Sequence, residues 1–278
     1  MSRSGRSAGS FRRALFGIAA TLALTGCSGA DFVLPELSDA DVNRASLTIG
    51  SASSYLPRYL RTEAESRQLL RRIADRLQAS APALCQHAKV KSCRINITYS
   101  SDGEVNAYAS GKDSVVVQRG LLELLQSEEE VAAVVAHEYG HHLGRHIEEK
   151  QRNAAIGAIL VGLAAAGGAM AAGADGNDPA MTNAVGTWAG VGAQIGALSY
   201  SKSQEREADL LSAYLLARAG YDLRKAGHVW QVLAQLDKKK TKASLFDTHP
   251  AGPERMAAWE RAIVEVEHSP TKLPPWKS

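Results

Sequence analysis

The chain has 278 residues, a length that fits one domain of ordinary size with a sizeable buried core, and 45% of them are hydrophobic against 22% charged. Its formal charge of +3 is small, and nothing in the composition points to a nucleic-acid surface.

In chain order, Arg3, Arg6, Arg12 and Arg13 precede the apolar run Ala14 to Leu24, which is too short to span a bilayer and has the layout of a secretory signal. Leu24-Thr25-Gly26-Cys27 resembles a bacterial lipobox. Residues 1–26 are therefore expected to be a lipoprotein signal peptide, Cys27 the lipidated residue and residues 27–45 a lipid-anchored tether. Acyl chains contribute about 0.8 kcal/mol per buried CH2, enough in combination to hold a soluble domain at a membrane. Ser28 in the following position, rather than Asp, resembles lipoproteins exported to the outer membrane, a resemblance that implies a domain facing the periplasm. Without the four signal arginines, 28 basic and 29 acidic residues remain, a formal charge of −1.

Leu69, Leu70, Ile73 and Leu77 form the stripe of an amphipathic helix. Cys85 and Cys93 are an even pair in an oxidising compartment, where a short disulfide loop is expected and metal ligation is not, because a cysteine site needs further partners nearby. Ile95, Ile97 and Tyr99 alternate as a strand, Asp102-Gly103 turns the chain into Val105–Ala109, and Ser114 to Gln118 gives a third strand. Helices follow. The expected class is α+β: a mainly helical domain over 46–270 with a small, about three-stranded sheet beside the helix described next.

Ser127 opens a capping box with Glu130, and Val131, Val134 and Val135 supply an apolar stripe. Inside that helix lies His137-Glu138-Tyr139-Gly140-His141, the HExxH arrangement. Residues four apart lie on one face, about 5–6 Å apart at Cβ, so His137 and His141 can bind one zinc ion. Glu138 sits about 100° around the helix, where it can serve as base to a water acidified by zinc without ligating the ion. A third histidine at position 147 would complete a metzincin pattern, but that residue is Ile147. His146 is one residue early and, on an unbroken helix, points away from His137. His142 and His146 are read as a solvated or hydrogen-bonded pair, with a second metal site as the alternative.

Ala154 to Ala174 and Thr182 to Ser199 are uncharged and, in the first case, rich in Ala and Gly. A single membrane span here would part His137 from Glu205, so they are expected to form a helical hairpin packed on the domain or a mobile cover over a cleft, with a hairpin of two membrane spans as the alternative and Asp175 to Pro179 as its turn. Ser201 and Gln204 then cap a second strongly helical stretch ending at Gly220. On it Glu205 and Asp209 share one side, so Glu205 can be the third ligand while Asp209 braces a histidine through its second ring nitrogen. Glu207 competes, but it lies about 200° from Glu205 and only one of them can face the metal. Further helices are expected near 223–236 and 254–267.

Four stretches together resemble the gluzincin-type endopeptidases of metallopeptidase family forty-eight, which includes HtpX-like, Oma-like and CAAX prenyl proteases. They are Val105-Asn106-Ala107-Tyr108-Ala109, His137 to His146, Glu205 to Asp209, and Thr248-His249-Pro250 with Arg255. The nearest branch is that of periplasmic LoiP-like lipoproteins. The resemblance spans roughly residues 60 to 265. It implies one Zn2+ per chain on His137, His141 and Glu205, with Asp209 behind them and Glu138 activating the water. It also implies that Val105, Asn106, Ala107, Tyr108 and Ala109 form an edge strand on which an extended substrate pairs. His249 would lie near the metal, as a fourth ligand holding the enzyme inactive or as a donor to the oxyanion, and Arg255 would serve the same pocket. The implied substrates are unfolded or misassembled envelope proteins. A lipoprotein chaperone or scaffold that uses the same cleft with gated hydrolysis is the alternative.

Overall fold

The computed structural model describes residues 30–52, 57–94, 96–109, 114–171, 200–238, 249, 251–268 and 273–277, with some positions between 179 and 190. The signal peptide, Cys27, Ile95, Thr248 and Pro250 lie outside the described residues. The described helices are α1 (Asp39–Ser51), α2 (Glu63–Ser80), α3 (Pro82–Ala88), α4 (Arg119–Leu124), α5 (Glu128–Leu143), α6 (His146–Ala171), α7 (Lys202–Arg218), α8 (Leu223–Lys238) and α9 (Pro253–His268). The strands are β1 (Asn96–Ser100), β2 (Ala107–Ala109) and β3 (Ser114–Gln118), in the order β1-β3-β2. This is the mainly helical α+β domain with a small sheet that the residues imply.

The helix α5 is the axis of the domain. The Ser127–Glu130 capping box starts it as expected, and every residue from Glu130 to Leu143 is buried. It packs against α7 and α8 on one side and β2 and β3 on the other, so residues of all its faces enter the core. Cys85 and Cys93 form a disulfide, and the Tyr139 hydroxyl of α5 donates to the Cys93 carbonyl at 3.0 Å. In the sheet, β1 runs parallel to β3 and β2 antiparallel to it. That leaves β2 at the edge next to α5. Val105 and Asn106 precede the strand proper, although the Asn106 carbonyl accepts from the Gln118 amide at 3.0 Å. Alternation then turns the main-chain groups of Ala107 and Ala109 to the free edge.

Two expectations need correction. The tether does not extend over 27–45: Phe32 is fully buried, and Ser38 caps α1, whose Ala45 and Ile49 are buried. The domain also extends past 270, because Phe32 and Trp276 form an antiparallel bridge. The reason is long-range packing by a few apolar side chains too sparse to make a periodic stripe. The second correction concerns α6. Only His146 and Gly162 of it are buried, while Ile156, Ile159, Leu163 and Met170 are exposed, so it is not packed on the domain. Gly162 does approach Ala189. By length and composition α6 is apolar enough to cross a membrane; of the expected turn at 175–179, 175–178 lie outside the described residues and Pro179 is helical.

The cap of α5 also carries a titrating pair, His228 Nδ1 and Glu130 Oε1, 2.5 Å apart. The Glu130 hydrogen bond raises His228; against burial, His228 and the amides of Ser127 and Gln126 hold Glu130 below its ordinary value. The raised histidine stabilises the fold fully below its ordinary value of 6.5 and ceases to as pH rises through its raised one. The lowered carboxyl stabilises above its ordinary 4.5 and ceases to as pH falls. Thermal melts should therefore separate wild type from His228→Gln more widely at about pH 5.5 than at about pH 9. A gap that is constant with pH contradicts this.

Candidate active site

Gly140 sets the distance between the two helices that carry the site. A Cβ there would lie 2.4 Å from the Ala208 carbonyl oxygen, so only glycine lets α5 and α7 approach this closely. Gly140→Ala is expected to cost about 1–3 kcal/mol through overpacking, read in chemical denaturation; unchanged stability would show that the helices can part without cost.

That approach brings His137 and His141 of α5 to Glu205 of α7, and His249 completes the group. Among the described residues these four each offer one ligand atom, all within 4.8 Å of one another, and all four are buried. His137 Nε2 stands 3.1 Å from His141 Nε2 and 3.3 Å from His249 Nδ1; Glu205 Oε1 stands 2.9 Å from His249 Nδ1 and 3.5 Å from His141 Nε2. Imidazole nitrogens that carry lone pairs repel one another at such distances. Three of them and a carboxylate converging on one point make a donor set that suits a cation with nitrogen and oxygen preferences. The residues thus fit a metal ion.

The surrounding charges agree. Against burial, the Arg255 and His249 charges hold Glu205 well below the usual carboxylate range. Burial pushes His141 well below the usual imidazole value, favouring the neutral form that ligates. Against burial and the Arg255 charge, hydrogen bonds to Asp209 and Glu205 raise His137 to about 9, so the cluster stabilises positive charge at its centre. His137 Nδ1 lies 2.9 Å from Asp209 Oδ1, the bracing expected from the sequence.

Glu138 faces the same centre from the other side of the histidines. It is 1% exposed, its Oε2 accepts the Ala109 amide of β2 at 3.1 Å, and among the described residues its Oε1 accepts no hydrogen bond, with His249 Nε2 3.4 Å away. The edge strand and the carboxylate are thereby locked together. Arg255 is buried, not a solvated charge. Its Nε and Nη2 donate to Asp209 at 3.0 and 2.8 Å, its Nη1 lies 2.9 Å from Glu205 Oε2, and its guanidinium lies 4.2 Å from the Trp230 ring centre. It stands behind the ligands and holds two carboxylates.

The helix is not continuous to His146. Gly144 and Arg145 end α5, with Arg145 in the left-handed region at φ 57°, and α6 begins with His146 turned back to His141 at 2.9 Å. His142 instead meets the Ser92 carbonyl at 2.7 Å, so among the described residues His142 and His146 form no second metal site. Glu207 faces His146, not the four-residue cluster, which leaves Glu205 as the carboxylate at the centre. Sequence reasoning missed Tyr200, stacked on His141 at 3.8 Å, and Lys150, 4.4 Å from the Tyr200 ring. Burial, then the Glu138 and Glu205 charges, raise the phenol and keep it a neutral donor; burial lowers Lys150.

Residues 68–263 match Peptidase family M48. The beta-barrel assembly-enhancing protease of Yersinia pestis is 30% identical over 182 residues, 62% of this chain and 35% of that protein. The mitochondrial metalloendopeptidase OMA1 of Arabidopsis thaliana is 32% identical over 163 residues, 59% of this chain and 30% of that one. Metalloprotease LoiP of Escherichia coli (strain K12) is 30% identical over 184 residues, 66% of this chain and 67% of that protein. The chain spans about a third of the length of the beta-barrel assembly-enhancing proteases it matches. With the HExxH pair, the glutamate of α7 and His249 gathered on one point and most of its length covered by the match, the chain belongs to peptidase family M48.

Proposed function

We propose that the chain is a zinc-dependent endopeptidase that cleaves unfolded or misassembled proteins of the bacterial envelope. The observation that carries this is the convergence of His137, His141 and Glu205 with the carboxylate of Glu138 beside them. When bound there, zinc acidifies a water and polarises the scissile carbonyl. The chain's own groups do the rest. Glu138, aligned by the Ala109 amide, takes the water's proton on its unbonded Oε1 and passes it to the departing amine. The free edge pairs with an extended substrate through the main-chain groups of Ala107 and the carbonyl of Ala109, whose N–H is held by Glu138, giving affinity from main-chain bonds that any unfolded sequence offers. The neutral Tyr200 phenol, its ring stacked on His141, is the donor offered to charge developing on the carbonyl oxygen, with His249 as the alternative donor.

His249 also favours a resting, closed state, because its Nδ1 stands 2.9 Å from Glu205 Oε1 and takes the fourth position of the donor set. His249→Ala should then raise basal casein cleavage; a fall would assign it the oxyanion role instead. Cys27 carries the lipid in this reading, residues 1–26 are its signal, and the domain hangs from the outer membrane into the periplasm. Relatives named for beta-barrel assembly support envelope proteins as the substrate class. Radiolabelled palmitate incorporation into wild type and Cys27→Ala tests the anchor, with loss of label expected in the variant; equal labelling contradicts it.

A further inference from the structure

The two imidazoles of the HExxH pair are braced in different ways. Asp209 takes the Nδ1 proton of His137 directly. His141 is braced at one remove: its Nδ1 lies 2.9 Å from His146 Nδ1, and His146 Nε2 lies 2.7 Å from Glu207 Oε2. The other Glu207 oxygen accepts the main-chain N–H of Phe32 at 2.6 Å. The protons along this line can be ordered in one sense only if His141 turns a lone pair to the centre. Its Nδ1–H then donates to His146, and His146 Nε2–H donates to Glu207. Histidines 141 and 146 and Glu207 are each at most 1% exposed, so a lost partner is not readily replaced by water.

The last donor belongs to a segment far away in sequence. Residues 30–36 cross the domain as a strap: the Phe32 ring is fully buried 4.4 Å from that of Trp276, the Val33 amide donates to the Pro275 carbonyl at 2.8 Å, and the Lys277 amide to that of Asp31 at 2.9 Å. Arg145 pairs with Asp31, and Arg206 donates to the Pro35 carbonyl at 2.5 Å. These two arginines are the sequence neighbours of His146 and Glu207, so the strap grips the line at both of its members.

We propose that His146 and Glu207 are positioning residues for the metal ligand His141, and that the strap, through the Phe32 amide, clamps them so that metal retention depends on how the N-terminal segment is seated. This rests on the metal reading above. It makes the stretch next to the membrane anchor part of the metal site's support, by a path of three hydrogen bonds.

The test times zinc release from the purified, zinc-loaded full chain to a chromogenic chelator. Glu207→Gln and His146→Leu should release about 10–100-fold faster than wild type, the usual cost of losing a partner behind a ligand. Phe32→Ala keeps the amide donor and loses the ring, whereas Phe32→Pro loses both, so Phe32→Pro should release faster than Phe32→Ala. In a Glu207→Leu background, where nothing at 207 can accept the Phe32 N–H, that difference should vanish, which a general loosening of the fold would not produce. Equal release by the two Phe32 variants, or a difference undiminished by Glu207→Leu, overturns the proposal. Should Phe32→Pro not fold, Trp276→Ala loosens the strap while leaving the amide and the line intact. It should hasten release only when Glu207 is present, and unchanged release overturns the proposal. Wild-type protein that takes up no zinc is a separate result, which sinks the metal reading itself.

Discussion

Glu138→Gln is expected to leave the fold and the bound metal unchanged and to lower casein hydrolysis by roughly two to four orders of magnitude, the usual worth of a positioned general base. The substitution keeps size and shape, and an amide oxygen can still accept the Ala109 N–H that aligns the side chain at 3.1 Å. What it removes is the capacity to take a proton at the position where Oε1 stands, buried and without a hydrogen bond. Suppression of aggregation, measured on the same preparations, should be the same for both proteins. Equal cleavage by wild type and variant contradicts the enzymatic reading and favours a cleft used for binding.

The second large effect lies behind the ligands. Arg255 meets both Glu205 and Asp209 in the described core, as His137 does, and those carboxylates in turn raise its affinity for a proton against the cost of burial. Arg255→Met leaves two buried carboxylates with His137 as their remaining shared cationic partner among the described residues, which should cost about 3–5 kcal/mol of stability in metal-free protein. Bound metal neutralises Glu205, so the loss should be smaller in the loaded form. Arg255→Lys is not expected to restore the difference, because an ammonium cannot reproduce the two-pronged contact with Asp209. Denaturant titrations of both forms check this, and equal losses with and without metal would contradict it.

The parts of the site that were legible in the sequence are those with helical spacing. His137 and His141 four apart, the Ser127 and Ser201 capping boxes, and Glu205 with Asp209 on one side of α7 all depend on local periodicity, and the structure places each accordingly. The fold class followed from the same patterns, as did α8 and α9 to within two residues. What escaped depends on contacts without local signal. Phe32 meets a residue 175 positions away, and a single aromatic ring makes no stripe. His146 was projected along an unbroken helix, whereas Arg145 in a left-handed conformation swings it back to His141. Gly144 was the available clue, since a Cβ there would lie 2.5 Å from the His146 ring. Tyr200 and Lys150 reach the centre only because α6 and α7 start beside each other, a tertiary fact. In α1 a local signal is present, Ser38 three residues before Asp41, but it lies inside the 27–45 stretch that the lipobox marks as a tether.

Metal content of the purified chain, by mass spectrometry of the elements after dialysis, tests the central claim most directly when wild type is set beside Glu205→Gln. The amide keeps the size of the side chain but loses the charge that the centre gathers around. One zinc per wild-type chain and its loss on dialysis from the variant is the predicted result. Wild type without metal, or a variant that retains zinc as tightly as wild type, would contradict the account of His137, His141 and Glu205 as the ligands.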